Sequence, residues 1–244
     1  MIDFVIETGN VDLLRNIFIQ NINSPGIDGF SPLLTAVTLS NYEMVKVLLR
    51  DYKADYNYKH PNGLTPLLAA TQSGNSEITL LLLDQPQIQM NVSLDNGMSP
   101  LHYAVLNSDI NVIKRMTQLG VYADSEESIR NQDRCNAFLF AAKLGCVKEL
   151  EVMAVKNKDC CSADGSNVLH WAASSNSNSL KCTELLYNKF KVSPNKQNCR
   201  KQYPIHVAIE ARNDDSAIYL YDISPQLQSI KDDKNKTAKD LAIT

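Results

Sequence analysis

The sequence predicts an all-α solenoid, a row of stacked helix–turn–helix units. Three observations carry that reading. A short helix-start signature around Thr65-Pro66-Leu67 recurs through the chain. The copies are regularly spaced: Pro32 to Pro66 is 34 residues, and Pro66 to Pro100 is 34 again. A second, apolar run follows most copies, as in Ile78-Thr79-Leu80-Leu81-Leu82-Leu83. Self-similarity at such a period is the mark of a repeat architecture in which each unit buries its apolar face on its neighbours.

The unit is clearest at Gly63-Leu64-Thr65-Pro66-Leu67-Leu68-Ala69-Ala70-Thr71-Gln72-Ser73-Gly74. Thr65 can cap a helix by accepting a backbone N–H, and Pro66 suits the first helical position because it has no N–H to lose. Leu67, Ala70 and Thr71 are small or apolar enough to pack between helices. Gly74 can take the left-handed conformation that ends a helix. The run from Ile78 to Leu83 reads as the second helix. Other copies begin at Ser31-Pro32, Ser99-Pro100, Asn136-Ala137, Asn167-Val168, Tyr203-Pro204 and Thr237-Ala238. The later spacings are 37, 31, 36 and 34 residues.

Ser99-Pro100-Leu101-His102-Tyr103-Ala104 and Tyr203-Pro204-Ile205-His206-Val207-Ala208 carry a T-P-L-H-x-A-like core at this period. On those residues the sequence resembles the ankyrin-repeat family over nearly its whole length. The resemblance implies hairpin-like finger loops before each first helix. It also implies a single domain over 1–244: a degenerate first repeat at 1–25, repeats at 26–59, 60–93, 94–130, 131–161, 162–197 and 198–231, and a partial last one at 232–244.

In order along the chain, Thr8-Gly9-Asn10 marks a helix-ending turn, with a second helix from Val11 to Ile19. Asn41 to Arg50 gives the second helix of the next repeat. Ala123 to Ser128 reads as a polar inserted loop. The fifth repeat lacks the proline and has an abbreviated second helix. Ser174 to Ser179 is a long inter-helix loop. Ala217 to Ile223 is a short, weakly apolar second helix. The last copy, Thr237 to Ala242, opens a unit that Thr244 interrupts, so a longer protein is expected.

Composition narrows the function classes. A net charge of −3 gives no argument for nucleic acid or an anionic membrane. No apolar run approaches the roughly 20 residues of a membrane span. Met1-Ile2-Asp3-Phe4 lacks the basic and apolar segments of a secretory signal. The six cysteines show no paired C-x-x-C spacing, and free thiols in a reducing compartment, cytoplasmic or nuclear, are expected.

Catalytic and metal signatures are sparse. Three of the four histidines, His102, His170 and His206, fall in the Leu/Ile-His slot, where the resemblance implies hydrogen bonds tying adjacent repeats. One histidine per repeat cannot share an ion across helices about 8–10 Å apart. Cys160-Cys161 with His170 is a conceivable nucleophile and base, without an orienting third group. No Gly-rich phosphate loop, H-E-x-x-H or G-x-S-x-G is present. The expectation is a non-enzyme without cofactor or metal.

The resemblance implies recognition of another protein through the fingers and the concave ends of the first helices. Mapped onto this chain, the finger positions are Phe30, Leu64, Met98, Cys135, Ser166 and Gln202. The helix-end positions include Leu39, Gln72, Leu106, Asn107, Lys143 and Leu144, with Tyr103 nearby. Phe30, Leu39, Leu64, Met98 and Leu106 make the first half an apolar candidate surface; the alternative is that fingers bury one another's side chains. Lys189, Lys191 and Arg200 belong to a lysine-rich stretch that suits an acidic partner segment or forms a solvated face. A monomer is expected, either the ankyrin part of a larger protein or a free-standing adaptor or inhibitor. Leu169-His170-Trp171-Ala172-Ala173 is also similar to a segment of ankyrin-bearing palmitoyltransferases.

Overall fold

A computed structural model describes residues 2–16, 21–124 and 135–242. The chain divides into two compact units, Met1–Leu119 and Gly120–Thr244. Among the described residues the first holds four helix pairs: α1 (Ile2–Thr8) with α2 (Val11–Asn16), α3 (Pro32–Thr38) with α4 (Tyr42–Arg50), α5 (Pro66–Gln72) with α6 (Ser76–Leu83), and α7 (Pro100–Leu106) with α8 (Ile110–Gln118). First helices stack on first helices and second on second. The expected helix from Val11 to Ile19 is seen as α2, its last residues lying outside the described ones.

The local chemistry explains the pairs. Ser31 Oγ accepts from Leu34 N at 3.2 Å and Thr65 Oγ1 from Leu68 N at 3.3 Å, each ahead of a proline at the helix start. The second helices have caps of their own: Asn41, Asn75 and Asp109 accept from Met44, Ile78 and Val112 at 3.0–3.1 Å. Apolar residues then fall on the inward face, and Met44, Val45, Leu48, Ile78, Leu82, Ile113 and Met116 are buried. Thr65 is itself buried. Thr65→Ala is expected to lower stability by about 1 kcal/mol through the lost cap, read as an earlier midpoint in urea unfolding.

The second unit repeats the plan with α9 (Ala137–Leu144), α10 (Val147–Val152), α11 (Val168–Ala173), α12 (Ser179–Asn188), α13 (Pro204–Glu210), α14 (Asp214–Ile223), a 3-10 turn (Pro225–Ser229) and α15 (Ala238–Ala242). Asn136 replaces the serine or threonine cap, accepting from Leu139 N at 2.9 Å. α10 has six residues, as the shortened fifth repeat requires. α14 is longer than expected: it begins at Asp214 and runs ten residues. The reason lies in its first turn, where Asp214 and Asp215 favour the positive end of the helix. Ser216 sits one turn in, its hydroxyl 2.7 Å from that of Ser179.

Two loops are tied into the fold by hydrogen bonds. Ala123 and Asp124 are buried rather than part of a solvated insertion; Ala123 N donates to Ala154 O at 2.9 Å, and Asp124 accepts from the N–H groups of Lys156 and Asn157. The rest of that insertion, 125–128, lies outside the described residues. The run from Ser174 links α11 to α12 as the long inter-helix loop that the sequence indicates, and it is anchored to the fold. Ser175 is buried, its hydroxyl donating to Ser177 O at 2.8 Å. Asn178 Nδ2 donates to Gly145 O at 3.2 Å, so the loop packs on the turn between α9 and α10.

The fingers are hairpin turns closed by one or two bonds. His60 N donates to Leu64 O at 2.9 Å and Gly63 N to His60 O at 2.8 Å. Connectors are joined by side chains: Asp55 N donates to Asn23 Oδ1 at 2.8 Å and Gln89 N to Asn57 Oδ1 at 2.9 Å.

Candidate functional site

The last turns of α3, α5 and α7 form one column in the first unit. Thr38 and Leu39, Gln72 and Ser73, and Leu106 and Asn107 are all exposed there. Leu39 and Leu106 leave about half their surface in solvent. The column is fixed by bonds between repeats: Asn107 Nδ2 donates to Thr71 O at 2.7 Å and Gln72 Nε2 to Tyr103 Oη at 3.4 Å. Two exposed leucines therefore sit among amides and hydroxyls held in place by the backbone.

The finger residues of that unit behave differently. Phe30 meets the His60 ring edge-on at 4.8 Å and is half-buried. Leu64 and Met98 are half-buried too. The neighbouring-finger alternative thus describes Phe30 better than an open anchor does. Tyr103 is corrected: it is buried, its hydroxyl accepting from Asn96 and Gln72.

In the second unit the finger positions close altogether. Cys135, Ser166 and Gln202 are buried. Ser166 Oγ donates to Asp164 Oδ2 at 2.8 Å and Ser162 Oγ to Asp164 Oδ1 at 2.6 Å. Burial would raise the Asp164 carboxyl, but these bonds and the Ser166 N–H outweigh it and hold it below the usual range. Part of the surface of this unit is formed by its first helices. Lys143 and Leu144 end α9 half-buried, and the Lys143 ammonium stands over the Trp171 ring, 5.0 Å from its centroid. Trp171 Nε1 donates to Ser162 Oγ at 3.0 Å, which fixes the ring. Phe140 is also half-buried on α9. The sequence reading missed Phe140 and Trp171 as surface residues. Their signal was the position shared with Tyr103, three residues after each first-helix start, where three of the repeats carry an aromatic ring.

The lysine-rich stretch is not one patch. Lys189 Nζ donates to Glu151 O at 2.6 Å, in the last turn of α10, and Lys158 Nζ donates to Lys191 O at 2.6 Å, just after α12. Arg200 lies on a finger tip; Asp233 N donates to its carbonyl at 3.1 Å, bringing the next tip alongside. All three side chains are exposed.

The histidines are engaged by the fold. His170 Nδ1 accepts from Asn167 N at 3.2 Å, and Nε2 donates to Gln202 O of the next finger at 2.9 Å. His206 accepts from Tyr203 N at 3.3 Å and donates to Ile230 O at 3.0 Å. Burial pushes His170 down to about 4, so the ring is neutral. With both nitrogens committed, His170 has no lone pair to serve Cys160 or Cys161 as a base. Burial pushes the Cys146 thiol up to about 11 and the Cys182 thiol up to about 12, the opposite of an activated nucleophile. Among the described residues no three His, Cys, Asp or Glu side chains converge as a metal site, and no helix is long and apolar enough to cross a membrane.

Comparison with protein families matches three copies of a profile described as ankyrin repeats, at residues 52–127, 101–198 and 138–231, and an ankyrin repeat at residues 28–57. A comparison with curated proteins found no match. Ankyrin repeats are protein-interaction modules and are typically non-catalytic. The matched residues run from 28 to 231, across both units. With its capped helix pairs, its finger turns and the histidine bonds between repeats, the chain belongs to the ankyrin-repeat family.

Proposed function

We propose that this chain is a non-catalytic module that binds a partner protein along the ends of its first helices. The observation that carries the reading is the column of Leu39, Gln72, Leu106 and Asn107. Apolar side chains exposed on a rigid polar frame suit an extended apolar segment, with amides positioned to bond its backbone. Trp171, held by Ser162 and covered by Lys143, is the corresponding anchor of the second unit; Trp is among the residue types that dominate binding energy. Arg200 and its neighbour Lys201 on the finger tip favour an acidic flank on the partner, an effect on association rate more than on affinity.

The test uses the purified chain as bait in an extract of its native cell, in three forms: parent, Leu39→Ser with Leu106→Ser, and Lys46→Ala as a control on the second-helix side. A protein captured by parent and control but lost with the leucine pair is the expected result. Its dissociation from the leucine variant should be roughly tenfold faster or more. Identical capture by all three forms would remove the column as the binding site.

A further inference from the structure

Each finger turns over five residues, and two of the described fingers are built differently from the others. In the fingers at 26–30, 60–64, 94–98 and 162–166 the third residue is Asp28, Asn62, Asn96 or Asp164. Its side chain accepts from the N–H two residues on, at 2.9–3.1 Å, and so holds the turn. The fourth residue of all four is glycine, with φ between +72° and +88°. In the fingers at 198–202 and 232–236 the acceptor has moved to the first residue. Asn198 Oδ1 takes the N–H groups of Arg200 and Gln202, both at 3.0 Å, and Asp232 Oδ1 those of Lys234 and Lys236, both at 2.9 Å. The third position is thereby released from holding the turn, and it carries a cation in both: Arg200 and Lys234. The fourth position of the finger at 198–202 is Lys201, at φ +54°, a conformation that glycine takes without strain and lysine does not.

The two tips stand side by side. Asp233 N donates to Arg200 O at 3.1 Å, as Cys199 N donates to Asp164 O at 2.7 Å one finger earlier. Arg200, Lys201 and Lys234 are exposed, and among the described residues none of them forms an ion pair. Of the acids on these tips, Asp232 is buried and Asp164 is held by Ser162 and Ser166, which leaves Asp233 exposed against three cations. The second and third positions are exposed also in fingers that another finger follows, Pro61 with Asn62 and Ala163 with Asp164, so the exposure of Lys234 belongs to its place in the turn. Neither finger contains an aromatic ring on which a nucleic-acid base could stack. We propose that Arg200, Lys201 and Lys234 bind a carboxylate-rich, extended segment of a partner protein. Such a segment sets alternate side chains on one face about 6.6 Å apart, so successive carboxylates can meet successive tips. The inference deepens the proposed function and rests on its reading of the chain as a protein-binding module, but not on the leucine column.

The probe is a short fluorescein-labelled peptide of alternating glutamate and serine, titrated into the full chain by fluorescence anisotropy. Saturable binding is expected, weakening as salt is added. Arg200→Gln with Lys201→Gln and Lys234→Gln should weaken it about tenfold or more. Lys46→Gln with Arg50→Gln and Lys114→Gln removes the same charge from second helices and should leave it unchanged. Lys201→Gly should weaken binding without lowering the melting temperature, which separates a cation kept for binding from one that holds the turn. The proposal fails if the tip variant binds as the parent does, or if the second-helix variant loses as much. It fails in favour of nucleic acid if an oligothymidylate of equal charge binds more tightly and is lost with the same tip variant. Leu39→Ser with Leu106→Ser should bind the peptide as the parent does, so the two surfaces can fall separately. If the column test fails while the peptide still needs the tips, only the column is removed. If a partner captured through the column associates equally fast with the tip variant, only the tips are.

Discussion

Gly145→Ala is expected to unfold or severely weaken the second unit. Gly145 has φ near +72°, and a Cβ built there would stand 1.9 Å from Ser177 O. That oxygen belongs to the loop whose Ser175 hydroxyl and Asn178 amide pin it to the chain. Neither side can yield without breaking these bonds, so backbone strain and steric overlap add. A loss of roughly 3–5 kcal/mol follows, about 10 °C or more in melting temperature. Gly120 supplies the contrast: its φ is +86° but nothing lies within 4 Å of a Cβ. Gly120→Ala should cost about 1 kcal/mol, the conformational part alone. Thermal unfolding of the two variants side by side decides; similar shifts would show that the Ser177 contact does not constrain the turn.

The second large effect is acid sensitivity through His170. Its ordinary value of 6.5 is pushed down to about 4 in the folded chain, chiefly by burial. The unfolded chain therefore binds the proton first as the pH falls. Stability from this group is complete above about 6.5 and is lost progressively between 6.5 and about 4. At about 1.4 kcal/mol per unit the loss approaches 3 kcal/mol. His170→Gln retains an amide donor for Gln202 O and has no proton to take up. The variant is expected to be less stable than the parent at pH 7 and to close the gap as the pH approaches 4. Urea unfolding of both proteins at pH 7, 6, 5 and 4 measures this. Parallel curves would mean that His170 is not the group lost to acid.

The fold was legible because its signals are local and periodic. Thr65, Pro66 and Gly74 act within their own turn, so their chemistry survives being read one residue at a time. The surface was less legible because exposure depends on the neighbouring repeat. Ser166 and Gln202 occupy positions that were expected to face a partner, yet both are buried: the Ser166 hydroxyl is drawn to Asp164, and the backbone of Gln202 is held by Asn198. Tyr103 is likewise polar enough to stand outside but finds Gln72 and Asn96 within reach. Trp171 was not read as a surface residue, because its partial exposure depends on Lys143 and Ser162 around it. The start of α14 was missed for a chemical reason: Asp214-Asp215-Ser216 looks like a turn in isolation and is a favourable first helical turn in place.

The bonds between connectors have a consequence for how such a chain can change length. Asn23 Oδ1 accepts a hydrogen bond from the backbone N–H of Asp55, and Asn57 Oδ1 from that of Gln89, each 32 residues downstream. Only the acceptor is a specified side chain; the donor is an amide that any residue except proline provides. Excising residues 28–61, one whole period, would set Gln89 at the distance from Asn23 that Asp55 now holds. A recombination event that removes or copies a full period thus leaves this bonding frame intact, whereas loss of a single residue between an acceptor and its donor shifts that donor past its acceptor. Heredity can edit the protein most safely in units of about 34 residues.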